Sequence, residues 1–305
     1  ALNTAMPELP EVETVRRGME RHVVGRRVEA VEVGRDRVAR RTSQEAIIDG
    51  LSGTAFLDAR RRGKYLVFAL DSGEAVMIHL RMSGQLLLAA SDSEPPPHTH
   101  VTMRLDDGRQ VWFVDPRTFG EVVVFDPADV TLALPELAAL GIDPIADPFS
   151  QADLRAAIGA SRGALKPLLL DQHRIAGIGN IYADEILHEA RLRPDRRADS
   201  LRPDSWRRLH ESTGRILEAA IRQGGSSLGD QQYVDLMGHG GSYQAEHRVY
   251  GRGGERCTTC GRGWIRRIVS GGRSTHFCPV CQRGGTPACS ASTRWGVGSS
   301  TEPAR

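Results

Sequence analysis

Pro7 and Glu8, near the start of the chain, are residue types that suit covalent chemistry. A small second residue allows an initiator methionine to be removed, so if Met6 is the true start, the mature chain would begin with the secondary amine of Pro7. An α-amino group has a pKa of about 7.7–8.0, and a neutral amine attacks a sugar aldehyde carbon to give an iminium ion. Glu8 would stand beside it for proton transfer. Alternatively, the segment only begins a helix, with Pro10 in the first turn, and these residues alone favour that simpler interpretation.

Four cysteines form two close pairs, Cys257 with Cys260 and Cys278 with Cys281, separated by 17 residues. Two such pairs can place four thiolates around one tetrahedral Zn²⁺, and no ligand position then remains open, which predicts one structural zinc ion. A redox-active pair is the alternative. Cysteines used this way indicate a reducing compartment, so we expect a cytoplasmic protein. The fifth cysteine, Cys289, has no partner of this kind.

The 305-residue chain has a net charge of only +2, yet residues 247–283 hold eight arginines and one acid, Glu255. This local excess suits phosphate contacts or a merely solvated surface. Only two lysines, Lys64 and Lys166, occur beside 38 arginines, so each either serves where a compact, titratable ammonium is required or is an accidental survivor. No apolar stretch approaches the ~20 residues that span a bilayer, and residues 1–5 are too short and uncharged for a signal peptide.

The patterns along the chain predict an α+β protein of several domains. Apolar spacing predicts a helix over residues 11–24, and short apolar runs over 28–125 predict an antiparallel sandwich or barrel, with an exposed loop at 91–97. Three prolines in 135–148 predict a hinge. Further helices are expected over 151–160, 164–171, 181–190 and 205–223. The predicted divisions are a leader (1–6), a first domain (7–134), a hinge (135–150), a helical domain (151–244), a zinc finger (245–284) and a disordered tail (285–305).

Several segments, in this order, resemble the formamidopyrimidine-DNA glycosylase family, bacterial enzymes that remove oxidised purines from DNA. They span residues 7–284, and the Glu-Leu-Pro-Glu-Val-Glu run after Pro7 resembles the purine branch. The matching segments are Pro7-Glu8-Leu9-Pro10-Glu11-Val12-Glu13, Arg62-Gly63-Lys64-Tyr65, His79-Leu80-Arg81-Met82-Ser83-Gly84, Asp115-Pro116-Arg117-Thr118-Phe119-Gly120, Gly177-Ile178-Gly179-Asn180-Ile181-Tyr182-Ala183-Asp184-Glu185 and the four-cysteine ribbon.

The resemblance implies a β-sandwich with an N-terminal helix, followed by a helix–two-turn–helix domain that ends in a four-cysteine zinc-finger hairpin. It implies that Pro7 is the nucleophile and that Glu8 manages protons. Lys64 would bind phosphate or the lesion region. Strand cleavage in this family proceeds by two eliminations, one on each side of the sugar. Arg273, at the tip of a hairpin over 264–277, would bind the phosphates that flank the lesion and assist the second of these eliminations.

The resemblance also implies a set of DNA-binding residues. Met82, Arg117 and Phe119 would fill the void that an extruded nucleotide leaves, although ordinary core packing suits Met82 and Phe119 equally well. Asn180 would bind a phosphate beside the damaged nucleotide, and residues 224–244 would close over the extruded base. The remaining DNA-binding candidates are His79, which would help to position the void-filling residues, His100 and Lys166.

The implied function is a bifunctional DNA glycosylase and abasic-site lyase that acts as a monomer on double-stranded DNA with oxidised purines or abasic sites, without a membrane. Two alternatives stay open. One is a pyrimidine-lesion glycosylase of the sister branch. The other is a zinc-ribbon protein that binds damaged DNA without cutting, which the leader favours because an internal Pro7 cannot form an iminium ion. We interpret residues 1–6 as a misplaced start or an added remnant.

Overall fold

Two antiparallel four-stranded sheets form the first half of the computed structural model, which describes residues 6–34, 36–229 and 233–284. In spatial order, one sheet contains β1 (Val28–Val33), β6 (Thr99–Leu105), β7 (Gln110–Val114) and β5 (Gln85–Ala89). The other contains β2 (Arg60–Arg62), β3 (Tyr65–Ala69), β4 (Ala75–His79) and β8 (Glu121–Phe125). Apolar side chains from both sheets share one buried cluster, so the predicted sandwich is confirmed.

Helix α1 (Leu9–His22) begins between the two halves of the molecule. Its residues Val12, Val15 and Met19 pack into the sandwich core, whereas Leu9 belongs to the core of the helical half. Pro10 lies in the first turn, where its missing N–H costs nothing. The first turn of α1 is therefore held from both sides.

A buried ion cluster fixes α1 to β2 and to the segment that follows the sandwich. The guanidinium of Arg61 contacts Glu13 of α1 at 3.0 Å and Asp143 at 2.5 Å, and the Asp143 carboxylate also accepts from the Gly63 N–H at 2.8 Å. Each buried charge therefore has an opposite charge and hydrogen bonds, the condition under which burial of ions is tolerated.

The second half is helical, as the sequence predicts, and the ends of the helices lie within two residues of the expected positions. The helices between residues 151 and 222 share a single apolar cluster. The helices after α1 are, in chain order, α2 (Gln44–Leu51), which lies in the sandwich half, α3 (Val130–Ala133), α4 (Pro135–Ala138), α5 (Gln151–Ile158), α6 (Leu165–Leu170), α7 (Asn180–Glu189) and α8 (Pro203–Arg222). Single 3₁₀ turns occupy Asp36–Ala39, Pro127–Asp129, Ala198–Ser200 and Tyr243–Glu246.

The chain continues into a two-stranded hairpin of β9 (Arg266–Ser270) and β10 (Arg273–Phe277). Gly271 and Gly272 form its two-residue turn, and both have positive φ angles (57° and 74°), which a twisted hairpin with this turn requires. Within the described residues, no helix is long and apolar enough to cross a membrane. The predicted leader apart from Met6, and the predicted tail with Cys289, lie outside the described residues. The domain boundaries stay a prediction.

Candidate active site

Five of the predicted site residues, distant in sequence, line one cavity of about 370 Å³. The cavity lies where the start of α1, the start of α7, the turns before β3 and after β4, and the tip of the β9–β10 hairpin meet. The predicted residues among its lining are Glu8, Lys64, Met82, Asn180 and Arg273. Met6, Tyr250 and Ser274 also line it.

Glu8 occupies the floor of the cavity and caps two helices at once. Its backbone N–H donates to Glu11 at 2.9 Å in the capping box of α1. Its carboxylate accepts from the N–H groups of Ile181 (2.9 Å) and Tyr182 (3.3 Å), which belong to the first turn of α7. Helix α7 has no side-chain cap of its own, so Glu8 satisfies its free N–H groups from another element.

The glycines of the 177–179 turn are required by this arrangement. A Cβ on Gly179 would lie 2.2 Å from the Glu8 carboxyl carbon, and a Cβ on Gly177 would lie 2.7 Å from a methyl of Leu9. Gly177 also has φ of +93°, and its carbonyl accepts from the Leu9 N–H at 3.0 Å. The turn therefore carries α7 against the first residues of α1 without any intervening side chain.

Two ionisable groups that line the cavity, Glu8 and Lys64, have pKa values displaced in opposite directions. Burial raises the pKa of Glu8, and the Lys64 charge partly opposes this rise. Burial lowers the pKa of Lys64, and Glu8 partly opposes that change. Carboxyl and amine groups with such displacements suit proton transfer near neutral pH.

Pro7 itself is buried between Met6 and Glu8, and the bonds of Glu8 and Leu9 fix the chain directly after it. Met6 lines the cavity and therefore occupies space next to the Pro7 nitrogen. In the described structure that nitrogen is part of the Met6–Pro7 peptide bond. A nucleophilic role for Pro7 stays a prediction that requires the preceding residues to be absent.

Glu11 is a buried residue that the sequence reasoning did not single out. Its carboxylate accepts from the Glu8 N–H (2.9 Å), the Tyr182 hydroxyl (2.5 Å) and the Ser226 N–H (2.7 Å). Burial, and next the neighbouring Glu8, raise the pKa of Glu11 to about 7. Glu11 thus joins the start of α1, the start of α7 and the base of the 224–244 loop. The only sequence signal is its capping-box position, three residues after Glu8.

Two adjacent loops present the predicted void-filling residues. The Asp115 carboxylate accepts from the Ser83 hydroxyl and from the Arg117 and Gly120 N–H groups, which ties the loop after β4 to the loop before β8. Met82 is half-buried at the cavity edge, Phe119 is 42% exposed, and the Arg117 guanidinium lies 5.3 Å from the Phe119 ring centre. The core-packing alternative does not fit Phe119.

His79 and His100 are buried, which does not fit the expected direct DNA contact of His100 and is compatible with the positioning role expected of His79. The Nδ1 atom of His79 accepts from the Arg81 N–H at 2.9 Å, and its ring packs edge-on against Tyr65. The Nε2 atom of His100 lies 2.9 Å from the Asp115 carbonyl oxygen. Burial leaves neither ring a surface for a phosphate. Through these contacts each ring instead holds one of the two loops that present the void-filling residues. His98, which the sequence reasoning missed, is the exposed histidine of this segment.

Lys166 is also placed differently from the expectation of a DNA contact. It is fully buried, where its ammonium pairs with Asp184 at 2.7 Å and donates to the Ser274 carbonyl at 2.8 Å. The same Asp184 accepts from the His276 N–H at 2.8 Å. Lys166 cannot reach a phosphate from this position. It fixes the hairpin strand that follows Arg273, so any support for DNA binding is indirect.

Arg273 and Asn180 lie at the cavity mouth. Arg273 is exposed at the first position of β10, and Asn180 opens α7. The Asn180 amide nitrogen is 3.4 Å from the Ser274 hydroxyl, while its buried amide oxygen has no partner among the described residues. Exchanging the two amide atoms would let Ser274 donate to the oxygen and would turn the N–H₂ group to the cavity.

The four cysteines predicted to bind zinc have their sulfur atoms within 4.8 Å of one another. The Cys257–Cys281 and Cys260–Cys278 sulfur pairs are each 3.8 Å apart, which matches the edge of a tetrahedron with Zn–S bonds of about 2.3 Å. The Gly263 N–H points at the Cys260 sulfur at 3.4 Å. This donor set fits Zn²⁺ in a closed structural site.

Comparison with known proteins agrees with this geometry. The sequence profile of the Formamidopyrimidine-DNA glycosylase N-terminal domain matches residues 6–122, that of the Formamidopyrimidine-DNA glycosylase H2TH domain matches 140–232, and that of the zinc finger found in FPG and IleRS matches 254–284. The formamidopyrimidine-DNA glycosylase of Heliobacterium modesticaldum is 44% identical over 281 residues, covering 91% of this chain and 100% of that protein. The Thermus thermophilus enzyme is 43% identical, covering 91% of this chain and 98% of that protein.

Solved structures give the same result. Lactococcus lactis Fpg in complex with DNA containing an abasic site has a TM-score of 0.82 at 38% identity and covers 91% of this chain and 100% of that one. A complex of the same protein with DNA containing an oxidised pyrimidine has a TM-score of 0.81 at 38% identity with the same coverage. The profiles span most of the chain, and the relatives are matched over nearly their full lengths. The chain belongs to the formamidopyrimidine-DNA glycosylase family.

Proposed function

We propose that this DNA glycosylase is bifunctional: it excises oxidised purines through Pro7 and then cleaves the DNA strand as an abasic-site lyase. The observation that carries the proposal is the meeting of Glu8, Lys64 and Arg273 in one cavity next to Pro7. The proposal requires a mature chain that begins at Pro7. Removal of Met6 would also open the part of the cavity that it lines.

In the proposed reaction the nitrogen of a mature Pro7 forms a bond to C1′ of the sugar, and the bond from C1′ to the base breaks. The base leaves with that electron pair and takes up the proton that the Pro7 nitrogen loses. Opening of the sugar ring then breaks the C1′–O4′ bond and leaves an iminium ion between Pro7 and C1′. Glu8 donates the proton that O4′ takes up, a role supported by its raised pKa. Loss of a C2′ proton expels the 3′ phosphate, and a second elimination expels the 5′ phosphate.

The positive groups of the cavity serve the phosphates. Arg273 is exposed at the hairpin tip, so its planar guanidinium can bind a phosphate in a bidentate manner. Asn180 also lines the cavity, where its side-chain amide can donate to a phosphate oxygen. Lys64, buried beside Glu8, contacts the lesion or its nearest phosphate.

Chemistry at C1′ of a stacked nucleotide requires its extrusion from the duplex. Met82, Arg117 and Phe119 would enter the resulting void, and the exposed aromatic ring and half-buried thioether at the cavity edge support this. A zinc ion at the four cysteines would supply only folding stability to the hairpin base. Every proposed catalytic side chain comes from one chain, so we propose a monomer.

Borohydride trapping on DNA containing 8-oxoguanine tests the mechanism. Protein verified by mass spectrometry to begin at Pro7 should become covalently linked to the DNA, because borohydride reduces the iminium ion to a stable amine. The same chain with residues 1–6 attached is the matched control and should give no adduct. Absence of an adduct from the verified protein, with DNA binding intact, would contradict the covalent mechanism and leave the non-catalytic DNA-binding alternative.

The purine preference has one competing interpretation with an observation behind it. A solved structure of Lactococcus lactis Fpg contains DNA with an oxidised pyrimidine, and that protein is 38% identical to this chain. Parallel excision assays on 8-oxoguanine and dihydrouracil duplexes separate the two interpretations. Faster excision of dihydrouracil would overturn the purine assignment without affecting the Pro7 mechanism.

A further inference from the structure

Six arginines surround a second depression, of about 600 Å³, on the far side of the zinc-finger base. They converge from the segment between α7 and α8, from α8 itself and from both cysteine-bearing turns. We call this depression the arginine pocket; its arginines are Arg191, Arg196, Arg202, Arg208, Arg262 and Arg283. No acidic side chain of the described part of the chain lines it. Residues 247–283 are rich in arginine, but the helical domain supplies most of the arginines of the pocket.

The charges of the arginine pocket are largely uncompensated. Among the described residues, Arg208 is the one pocket arginine with a carboxylate partner, Asp204. Other arginines of the same half are paired, such as Arg193 with Asp195 and Arg197 with Asp199. Burial lowers the pKa of Arg196, and the like charges of neighbouring pocket arginines add to this effect. An unpaired cluster of this kind costs electrostatic energy that an anion would relieve.

A zinc centre does not account for the whole cluster. Zn²⁺ with four thiolates carries a net charge of −2, and the sulfur-bearing residues Cys260 and Cys281 line the pocket. Six guanidinium groups exceed this charge even after the pairing of Arg208 with Asp204 is subtracted. The remaining positive charge is available to an external anion.

The arginine pocket is separate from the active-site cavity. Asn180, the first residue of α7, lines the active-site cavity, whereas Arg191 follows the other end of this helix. Ten helical residues at ~1.5 Å each put the two sites roughly 15 Å apart along the axis of α7. The hairpin also extends from one site to the other, since its tip lies at the cavity and its cysteine-bearing base lies at the pocket.

The lining of the pocket selects for phosphate rather than for a base. Guanidinium groups match phosphate oxygens in a planar, bidentate geometry. The hydroxyls of Ser205 and Thr259 add polar contacts, and the described lining contains no aromatic side chain for a base to stack on. Because the arginines come from several segments around an open depression, they suit a row of phosphates along a backbone.

We propose that the arginine pocket is a second DNA-binding site, which takes the phosphodiester backbone of a duplex segment outside the active-site cavity. Such a site would let the enzyme hold an undamaged segment while its active site engages a lesion. The proposal rests on DNA binding by this family and is independent of the Pro7 chemistry.

A two-duplex binding experiment tests the proposal. The zinc-loaded protein is saturated with a short duplex that carries a tetrahydrofuran abasic analogue, and a long, fluorescent, undamaged duplex is then titrated while anisotropy is followed. We expect the second duplex to bind at low salt. Arg202→Ser/Arg262→Ser should weaken this binding by about tenfold or more and reduce the slope of log affinity against log salt by about 2, since two phosphate contacts are lost.

The matched control is Arg207→Ser/Arg215→Ser, which removes two arginines of α8 that are paired with acids and lie outside the pocket. It should bind the second duplex as the wild type does. Zinc content checks the folding of both proteins, and Arg191→Ser/Arg283→Ser replaces the first variant if its zinc content falls. Excision from the short duplex reports the proposed function separately and should be unchanged in all variants.

Three results would overturn the proposal: no second duplex on the wild-type complex, wild-type binding by the pocket variants, or equal losses in the matched control. A parallel titration with tripolyphosphate distinguishes a site for free polyphosphate from a site for DNA. If the pocket variants lose tripolyphosphate binding while the second duplex binds normally, the pocket takes a free polyphosphate and the DNA assignment is wrong.

Discussion

Replacement of Lys64 by arginine keeps the charge and changes the shape, which makes it a sharp test of the active-site assignment. Lys64 is 7% exposed, follows the Gly63 turn and lines the cavity beside Glu8. Arginine brings two more heavy atoms and a rigid plane into this space, and its guanidinium stays protonated, whereas burial brings the pKa of Lys64 toward neutrality.

The expected loss can be estimated from packing alone. Extra atoms in a packed core typically cost about 1–3 kcal/mol, and the low end of that range applies because Lys64 lines a cavity. If this energy is added to the activation barrier for base excision, each ~1.4 kcal/mol lowers the excision rate about tenfold. We therefore expect Lys64→Arg to reduce base excision by about tenfold. Cleavage of a preformed abasic site should suffer less, because Pro7 and Glu8 remain and no damaged base needs to fit.

Single-turnover excision of 8-oxoguanine, compared with strand cleavage at a preformed abasic site, measures the effect. Arg60→Lys is the control, because Arg60 lies in the neighbouring strand, is 77% exposed and pairs with Asp58 at the surface. Arg60→Lys should leave the rates of excision and strand cleavage nearly unchanged. Equal excision rates for wild type and Lys64→Arg would refute the reasoning and show that Lys64 is an accidental survivor in an arginine-rich chain.

Three further predictions follow from single contacts. Cys278→Ser should remove a zinc ligand and weaken DNA binding about tenfold or more, measured by zinc content and anisotropy; unchanged affinity at physiological salt would contradict a zinc-supported hairpin. Gly179→Ala should displace the Glu8 carboxyl and lower excision by roughly 100-fold or more, whereas Gly214→Ala, with open space around its Cβ, should not. The raised pKa of Glu11 should stabilise the fold at low pH, with that stability lost as pH rises from 4.5 through about 7. Urea unfolding should show up to about 3 kcal/mol of this fall in wild type beyond that of Glu11→Gln, and parallel pH profiles would contradict it.

Local patterns were sufficient to predict most of the fold. The amphipathic spacing of α1, the short apolar runs of the sandwich and the paired glycines of the hairpin all act over a few residues, so their sequences predict their structures. The cysteine spacing likewise predicted the cluster of four sulfur atoms, because each pair lies on one tight turn.

The environments of single polar residues could not be predicted in this way. Lys166, His79 and His100 belong to matching or neighbouring segments, yet all three are buried by elements distant in sequence. Residue type and spacing do not report burial, so a lysine that pairs with Asp184 inside the protein looks the same as one that binds a phosphate. The role of Glu11 was missed for the same reason, because its contact with Ser226 joins residues far apart in the chain.

The burial of α1 explains how a chain terminus could act as a precise nucleophile. First residues usually fray unless tertiary contacts hold them. Here Leu9 is packed in the helical core while Val12 belongs to the sandwich core, so the first turn of α1 cannot move without disturbing both. The Glu8 N–H bond to Glu11 then fixes the peptide that follows Pro7. The nitrogen of a mature Pro7 would therefore be held in place beside Glu8 before DNA binds, and binding energy would not be spent on ordering it.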